Sequence, residues 1–173
     1  RWESPVRPWG GVEQLAWTKD GKKLIYTCRK KIGIDYAEST NTDLYAYNTE
    51  NGETVNLTEG MMGYDKNPVI SPNGRYMAWE SMEREGYEAD KIRLYVMDLT
   101  TGEKNDFSEG FDQNAEGLKW GDDNTIWFIS DWHATDEIGY SDRKNHQTYR
   151  WSSQLYFRDS DRKNVTCHQS VYE

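Results

Sequence analysis

The chain has 173 residues, and its 21 Lys and Arg residues against 30 Asp and Glu residues give a formal charge of −9. A length of this order suits one domain, and the acidic balance argues against nucleic acid as a partner, because phosphate binding requires clustered cations. Aromatic residues make up 14% of the chain, far more than disordered segments carry, and no apolar run is long enough to span a bilayer.

An internal repeat dominates the chain. The segment Leu44–Glu53 recurs fifty positions later as Leu94–Glu103, with a Leu-Tyr strand followed by a Gly-Glu turn in both copies. A second recurring segment precedes each copy and opens a third unit; its three examples are Trp17–Gly21, Ile70–Gly74 and Trp120–Asn124. Because a fixed period of this size indicates a repeat architecture, the sequence predicts three related units.

Each unit predicts four short strands in the same order. A first strand ends at the Trp or Ile of the recurring segment, and an Asp-Gly or Asn-Gly pair then supplies a tight hairpin turn. The second strand is almost continuously apolar, as expected when both faces are covered; its examples are Lys23–Thr27, Tyr76–Glu80 and Thr125–Ile129. After a variable loop come the Leu-Tyr strand and a more polar fourth strand.

Polarity that rises from the first strand to the last is typical of a β-propeller blade, whose outer strand faces water. The predicted fold is therefore all-β, a propeller fragment of about two and a half to three four-stranded antiparallel blades. The blades are predicted at about residues 12–60 and 66–110, with an incomplete third at 115–138. No helix is predicted, and Ser81–Lys91, which contains Gly86, is predicted as a loop.

The blade pattern resembles TolB-type propellers and the propeller domain of prolyl-oligopeptidase-family serine peptidases. More particular are five segments that together resemble the dipeptidyl- or acylaminoacyl-peptidase branch found in bacteria; they are Tyr26–Lys31, Met61–Asp65, Trp79–Asp90, Glu109–Asp112 and Asp131–His133. The resemblance covers roughly residues 1–138. It implies a propeller that accompanies an α/β-hydrolase domain, and a periplasmic or secreted location.

Residues 139–173 break the pattern. They contain three aliphatic residues and no glycine after Gly139, and they carry a charge of +2 against −11 for residues 1–138. Two explanations stay open, a divergent tail and a slipped reading frame. Reading Gln147–Asp159 one nucleotide later permits Leu-Thr-Asp-Gly, which matches the ending Leu57–Gly60 of the first unit. We therefore predict an atypical tail, with a frame shift as one hypothesis for it.

The sequence offers little catalytic chemistry. A peptidase of the resembled family carries its nucleophile as Gly-x-Ser-x-Gly, whereas Gly139–Arg143 supplies only the first half of that motif around Ser141. No catalytic residue, cofactor or metal ligand is therefore predicted, and the chain is expected to be inactive alone. His133 fits a loop position better than a metal site, and Asp122–Asn124 fits the hairpin turn better than a calcium site.

The long loops between second and third strands carry the one predicted site. In peptidases of the resembled type such loops face the hydrolase, so Glu83, Arg84 and Glu88 are candidate contacts for the charged ends of a peptide. A carboxylate can pair with an amino terminus, and arginine can bind a carboxylate through two hydrogen bonds. The alternative is an ordinary solvated hairpin.

Two functions remain in view. The first is a non-catalytic propeller segment that gates and orients short peptides for an α/β-hydrolase domain in the intact enzyme. The second is a TolB-like scaffold that binds a protein partner. In both cases exposed blade faces and unpaired strand edges favour self-association.

Overall fold

The computed structural model describes residues 2–8, 10–132, 135–143 and 147–151, and three four-stranded antiparallel sheets account for most of their regular structure. Each sheet places its strands side by side in chain order. The strands are β1 (Leu15–Trp17), β2 (Lys23–Cys28), β3 (Asp43–Asn48), β4 (Thr54–Asn56), β5 (Asp65–Ile70), β6 (Tyr76–Ser81), β7 (Arg93–Asp98), β8 (Lys104–Asp106), β9 (Glu116–Trp120), β10 (Thr125–Trp132), β11 (Thr135–Asp142) and β12 (Gln147–Trp151).

The three sheets are repeats of one blade, which confirms the predicted all-β fold. Leu44 lies opposite Thr27, and Leu94 lies opposite Glu80. These pairs occupy the same place in their sheets, because Asn48 and Asp98 end both third strands opposite the first residue of the second strand. The fifty-residue repeat of the sequence is therefore a structural repeat. We call the sheets β1–β4, β5–β8 and β9–β12 the first, second and third blades.

Two short helical segments differ from the strand-only prediction. Helix α1 (Ile34–Glu38) lies within the β2–β3 loop, and Val12–Gln14 form a single 3₁₀ turn before β1. Val12 is 83% exposed and lies outside the first strand, which begins at Leu15. A single helical turn has no periodic pattern to detect. Neither helical segment could cross a bilayer, and the described residues contain no membrane-spanning helix.

Packing between neighbouring blades forms the core. One cluster joins the first two blades through Ile25, Leu44 and Ala46 on one side and Met77, Trp79 and Met97 on the other. A second cluster joins the second and third blades and includes Ala78, Val96, Ile126 and Phe128. The second blade is thus buried on both faces, which explains why β6 is apolar at almost every position. Its side chains alternate between two cores.

The boundary that the sequence predicts between the propeller fragment and the atypical tail, after residue 138, falls within strand β11 of the third blade. Gly139 lies opposite Phe128, and a Cβ atom at this position would stand 2.3 Å from the Phe128 ring. Glycine at residue 139 therefore leaves room for the Phe128 ring. The division at residue 138 stays a prediction, and residues 152–173 of the predicted tail lie outside the described residues.

Candidate functional site

Three chain segments meet at one end of the first two blades. They are the β2–β3 loop (Arg29–Thr42), the β6–β7 loop (Met82–Ile92) and the β4–β5 connection (residues 57–64). They share one end because β5 begins at Asp65 opposite Ser81, the last residue of β6. We call the surface they form the loop face. It carries the three predicted substrate contacts.

The two long loops bind each other. Glu85 accepts a hydrogen bond from the Ser39 hydroxyl and lies 3.5 Å from Lys31 Nζ. The Gly86 amide donates to Thr40 Oγ1 at 2.9 Å. The Ser39 hydroxyl, followed by the Lys31 charge, lowers the pKa of Glu85, so this carboxylate stays ionised. The sequence predicted both loops as long and charged, and the structure brings them into contact.

Arg84 is held within its own loop. Its guanidinium forms an ion pair with Asp90, whose carboxylate also accepts the Arg84 backbone amide at 3.0 Å. The guanidinium stacks 4.1 Å from the centre of the Tyr87 ring. The hydrogen bond from Arg84 lowers the pKa of Asp90. A substrate carboxylate would therefore compete with Asp90 for Arg84.

Glu83 and Glu88 remain exposed on the same loop. Within the described parts of the chain, neither carboxylate has a hydrogen bond or an ion pair. Both lie on a loop that the Arg84–Asp90 pair and the contacts of Glu85 hold in place. Of the three predicted site residues, these two are the ones open to a ligand.

The segment near the amino terminus braces the β2–β3 loop from the other side. Glu3 pairs with Arg29 through backbone hydrogen bonds, and its carboxylate accepts the Tyr36 hydroxyl at 2.7 Å. The Arg29 guanidinium stacks on the Tyr36 ring, 3.7 Å from its centre, and donates to the Tyr36 carbonyl. Helix α1 is thereby fixed against the first blade. The loop is anchored at both ends.

A close backbone contact supports the loop face from below. Thr42 pairs with Tyr64, and the Met82 amide donates to the Tyr64 carbonyl at 3.2 Å. A Cβ atom at Gly63 would stand 1.9 Å from the Met82 carbonyl oxygen, so only glycine permits the β4–β5 connection to approach the β6–β7 loop this closely. Gly63 belongs to a segment that carried the family resemblance in the sequence.

Two buried carboxylates lie at this end of the second blade, and neither was predicted as functional. Asp65 is fully buried and accepts the Trp79 indole N–H at 2.9 Å. Glu80 is 2% exposed and accepts the Gly117 amide at 2.8 Å and the Asn67 amide at 3.0 Å. An acidic residue inside an apolar strand was the available sequence signal for Glu80, because a buried charge needs partners.

The remaining candidates from the sequence occupy structural positions or lie outside the described residues. Ser141 is buried in β11, and its hydroxyl lies 3.4 Å from the Phe107 carbonyl. Asp122 accepts the amides of Asn124 and Thr125, which makes Asp122–Asn124 a turn. Within the described ranges, no three His, Cys, Asp or Glu side chains converge as a metal site would require. His133 lies outside the described residues.

Sequence comparison identifies relatives for about three quarters of the chain, although no protein-family model matches it. Dipeptidyl-peptidase 5 from Porphyromonas gingivalis is 46% identical over 130 residues, which are 75% of this chain and 19% of that protein. Probable dipeptidyl-peptidase 5 from Emericella nidulans is 30% identical over 133 residues, which are 72% of this chain and 18% of that protein. The chain therefore spans less than a fifth of these relatives.

Solved structures share the fold at low sequence identity. The AtxE2 isopeptidase superimposes with a TM-score of 0.61 at 11% identity over 81% of this chain and 29% of that one. TolB from Acinetobacter baumannii gives a TM-score of 0.56 at 23% identity over 82% of this chain and 32% of that one. These similarities establish the propeller fold of the described blades.

Proposed function

We propose, from the premise that this chain is a β-propeller segment homologous to dipeptidyl-peptidase 5, that its loop face orients short peptides for a hydrolase domain in the intact enzyme. The sequence relatives support a peptidase-related propeller. The segment itself acts by binding and exclusion. Bond cleavage belongs to an α/β-hydrolase domain, which is the second partner in this proposal.

One observation carries the proposal, namely that Glu83 and Glu88 are exposed acceptors on a loop that is otherwise fixed. Arg84 is paired with Asp90, and Glu85 is held by Ser39 and Lys31. The loop that carries the two remaining carboxylates is therefore fixed, while the carboxylates themselves have no ion pair among the described residues. An ionised carboxylate pairs strongly with a cationic donor when that donor loses water, so a protonated peptide amino terminus is the group they fit.

Binding an amino terminus would also limit the length of the peptide segment that reaches the hydrolase. A fixed anchor for one end of the substrate holds the scissile bond at a set distance, and positioning of this kind lowers the entropic part of the barrier. The contacts that fix the loop matter because a mobile loop would not hold the amino terminus at a set distance from the scissile bond.

The experiment uses the intact enzyme that contains this segment and compares Glu83→Gln and Glu88→Gln with the wild type. On dipeptidyl substrates with a free amino terminus, we expect kcat/KM to fall about tenfold or more for at least one variant. On the same substrates with an acetylated amino terminus, the variants should match the wild type. Glu53→Gln, at an exposed carboxylate in the β3–β4 turn at the opposite end of the first blade, is the matched control.

Unchanged kcat/KM in both variants would overturn the assignment of the amino-terminal contact. Arg84→Gln adds a second readout. Because Asp90 already occupies the guanidinium, we expect a smaller effect on kcat/KM than for the glutamates, together with a lower melting temperature of the propeller. A large effect on KM without loss of stability would instead place Arg84 against the substrate.

Self-association of the isolated segment is a further part of the proposal. The faces of the first and third blades that point away from the second blade carry exposed apolar side chains, among them Trp17 at 55% exposure and Ile129 at 48%. Blade faces of this kind are buried wherever two blades meet in this structure. In the intact enzyme, neighbouring blades would cover them.

A further inference from the structure

The crevice between the first two blades is a cavity that the proposed function does not use. Its volume is about 700 Å³, within the range of roughly 300–1,000 Å³ typical of ligand sites. Its lining includes the β1–β2 and β5–β6 turns, which lie at the end of the blades opposite the loop face. Lys19 Nζ links the two turns by donating to the Pro72 carbonyl at 2.6 Å.

The floor of the crevice is apolar and its rim is cationic. Ile25, Ala46 and Met97 form the floor as part of the core between the blades. Lys23 projects to the same side as Ile25, two residues along β2, and Lys104 projects to the same side as Met97, its partner across β7 and β8. Within the part of the chain described, neither ammonium has a hydrogen bond or an ion pair.

The acidic group at the rim is already engaged. Asp20 accepts the Thr18 hydroxyl at 2.6 Å and the Lys22 amide at 3.1 Å. These hydrogen bonds, that of Thr18 first, lower the pKa of Asp20. Asp20 therefore keeps its charge without pairing with either free lysine. In a chain with a net charge of −9, two unpaired lysines beside an apolar cavity form a local binding surface of opposite sign.

The equivalent crevice between the second and third blades shows how such a space is filled. Its volume is about 280 Å³, and the Arg143 guanidinium lies 3.9 Å from the centre of the Tyr76 ring. Arg143 also donates to the Asp123 carbonyl and to Asn124 Oδ1. The chain thus places one of its own side chains in this crevice, against a wall that includes Asp98 and Glu103.

Blade equivalence identifies what replaces these groups in the larger crevice. Leu99 corresponds to Arg143, because the amide of each bonds to the residue before the second strand, Arg75 and Asn124 respectively. Lys23 corresponds to Tyr76, because both lie opposite the last residue of the third strand. The larger crevice therefore has a cation where the smaller one has an aromatic ring, and an aliphatic side chain where the smaller one has a guanidinium.

We propose that the crevice between the first two blades binds an extended acidic peptide segment whose aliphatic side chains alternate with carboxylates. The aliphatic side chains would lie on Ile25 and Met97, and the carboxylates would pair with Lys23 and Lys104. Alternation suits an extended segment lying along this crevice, since its successive side chains point in opposite directions, one set to the apolar floor and the other to the cationic rim.

The test measures binding of a fluorescein-labelled, carboxy-amidated peptide of alternating leucine and glutamate to the full chain by fluorescence polarisation. The matched peptide has glutamine in place of glutamate. Blocked ends separate this site from the loop face, which is proposed to need a free amino terminus. We expect the acidic peptide to bind and the glutamine peptide to bind at least about tenfold more weakly, with affinity falling as salt rises.

Lys23→Gln and Lys104→Gln should each weaken binding roughly threefold, and the double variant about tenfold, which is the range for partly exposed ion pairs. Lys119→Gln, at an exposed lysine on the third blade, is the control and should bind as the wild type does. Equal binding of both peptides would overturn the proposal, as would an unaffected double variant. If dodecanoate bound and the acidic peptide did not, the proposal would also be overturned, because the ligand would then be a lipid carboxylate.

Discussion

The indole N–H of Trp79 donates to the carboxylate of Asp65 at 2.9 Å in the core between the first two blades. Both side chains are fully buried. Burial raises the pKa of Asp65 from its usual 3.8 to about 7, while the nearby donor groups of Ser81, Trp79 and Thr58 oppose the rise. The backbone of Asp65 is itself fixed, since its carbonyl accepts the Thr42 hydroxyl at 2.8 Å. A titratable group thus lies directly beneath the loop face.

The first prediction concerns stability against pH. Because the folded pKa of Asp65 lies above its unfolded value, the folded state binds the proton more tightly, and the free energy of unfolding should rise as pH falls from about 7 to 4. Its slope should approach at most about 1.4 kcal/mol per pH unit. The contribution of Asp65 to the free energy of unfolding is fully present below the pKa that this carboxyl has in the unfolded chain. It is lost as the pH rises through about 7.

Urea unfolding between pH 4.5 and 8 measures this dependence, and Asp65→Asn should flatten it while keeping the Trp79 acceptor. Glu59→Gln, an exposed control, should leave the slope unchanged. A wild-type protein that becomes more stable from pH 5 to 8 would contradict the assignment to Asp65.

The second prediction concerns Glu80, which joins the second blade to the third. Its two carboxylate oxygens accept the Gly117 amide and the Asn67 amide, and Lys66 Nζ lies 3.6 Å away. Burial raises its pKa, and Lys66 is the main opposing influence. Glu80→Ala should lower the free energy of unfolding by about 2–4 kcal/mol, because it leaves buried donors without an acceptor.

Glu80→Gln removes the negative charge of the side chain but keeps its size and one acceptor oxygen. It keeps an acceptor for the Gly117 amide and loses the pairing with Lys66, so we expect a smaller loss in a thermal or urea melt. Equal losses in both variants would mean that the carboxylate charge, rather than the hydrogen bonds, stabilises the contact between the blades.

The third prediction concerns the exposed blade faces. Trp120 packs against the second blade, with its indole donating to the Val69 carbonyl at 3.1 Å and its ring stacked on Tyr76. Trp17 has the same place in the first blade, opposite Leu24, yet it is 55% exposed. Trp127 is exposed on the far face of the third blade. Both faces therefore resemble one half of an interface between blades.

Light scattering over a concentration series should show self-association of this chain, reduced in Trp17→Ser and Trp127→Ser. Ile32→Ser is the control, because Ile32 is 64% exposed but lies on the β2–β3 loop instead of a blade face. A monomer at every concentration, with a sharp cooperative melt, would refute self-association through these faces.

The fourth prediction concerns residues 139–173. If a reading frame slipped, the encoding DNA read one nucleotide later should continue the blade pattern and end its third unit in Leu-Thr-Asp-Gly. DNA sequencing across the codon of Ile138 decides between the two explanations. An alternative frame interrupted by stop codons would leave a divergent tail.

The sequence by itself determined the blade repeat, because hairpin turns and strand patterns are local and recur at a fixed spacing. It placed Leu44–Asn48 and Leu94–Asp98 in equivalent strands and identified the long loops that meet on the loop face. Tertiary structure alone decided which charges are available. Arg84 is paired with Asp90, whereas Glu83 stays open.

Tertiary structure alone also decided the chemistry of the crevice between the first two blades. Its lysines are unremarkable in sequence, and their role follows from the contrast between Leu99 and Arg143 in neighbouring blades. Burial, ion pairing and the space between sheets depend on contacts between residues far apart in the chain. A local pattern carries no information about those distances, which is why the fold was predictable and the chemistry of its surfaces was not.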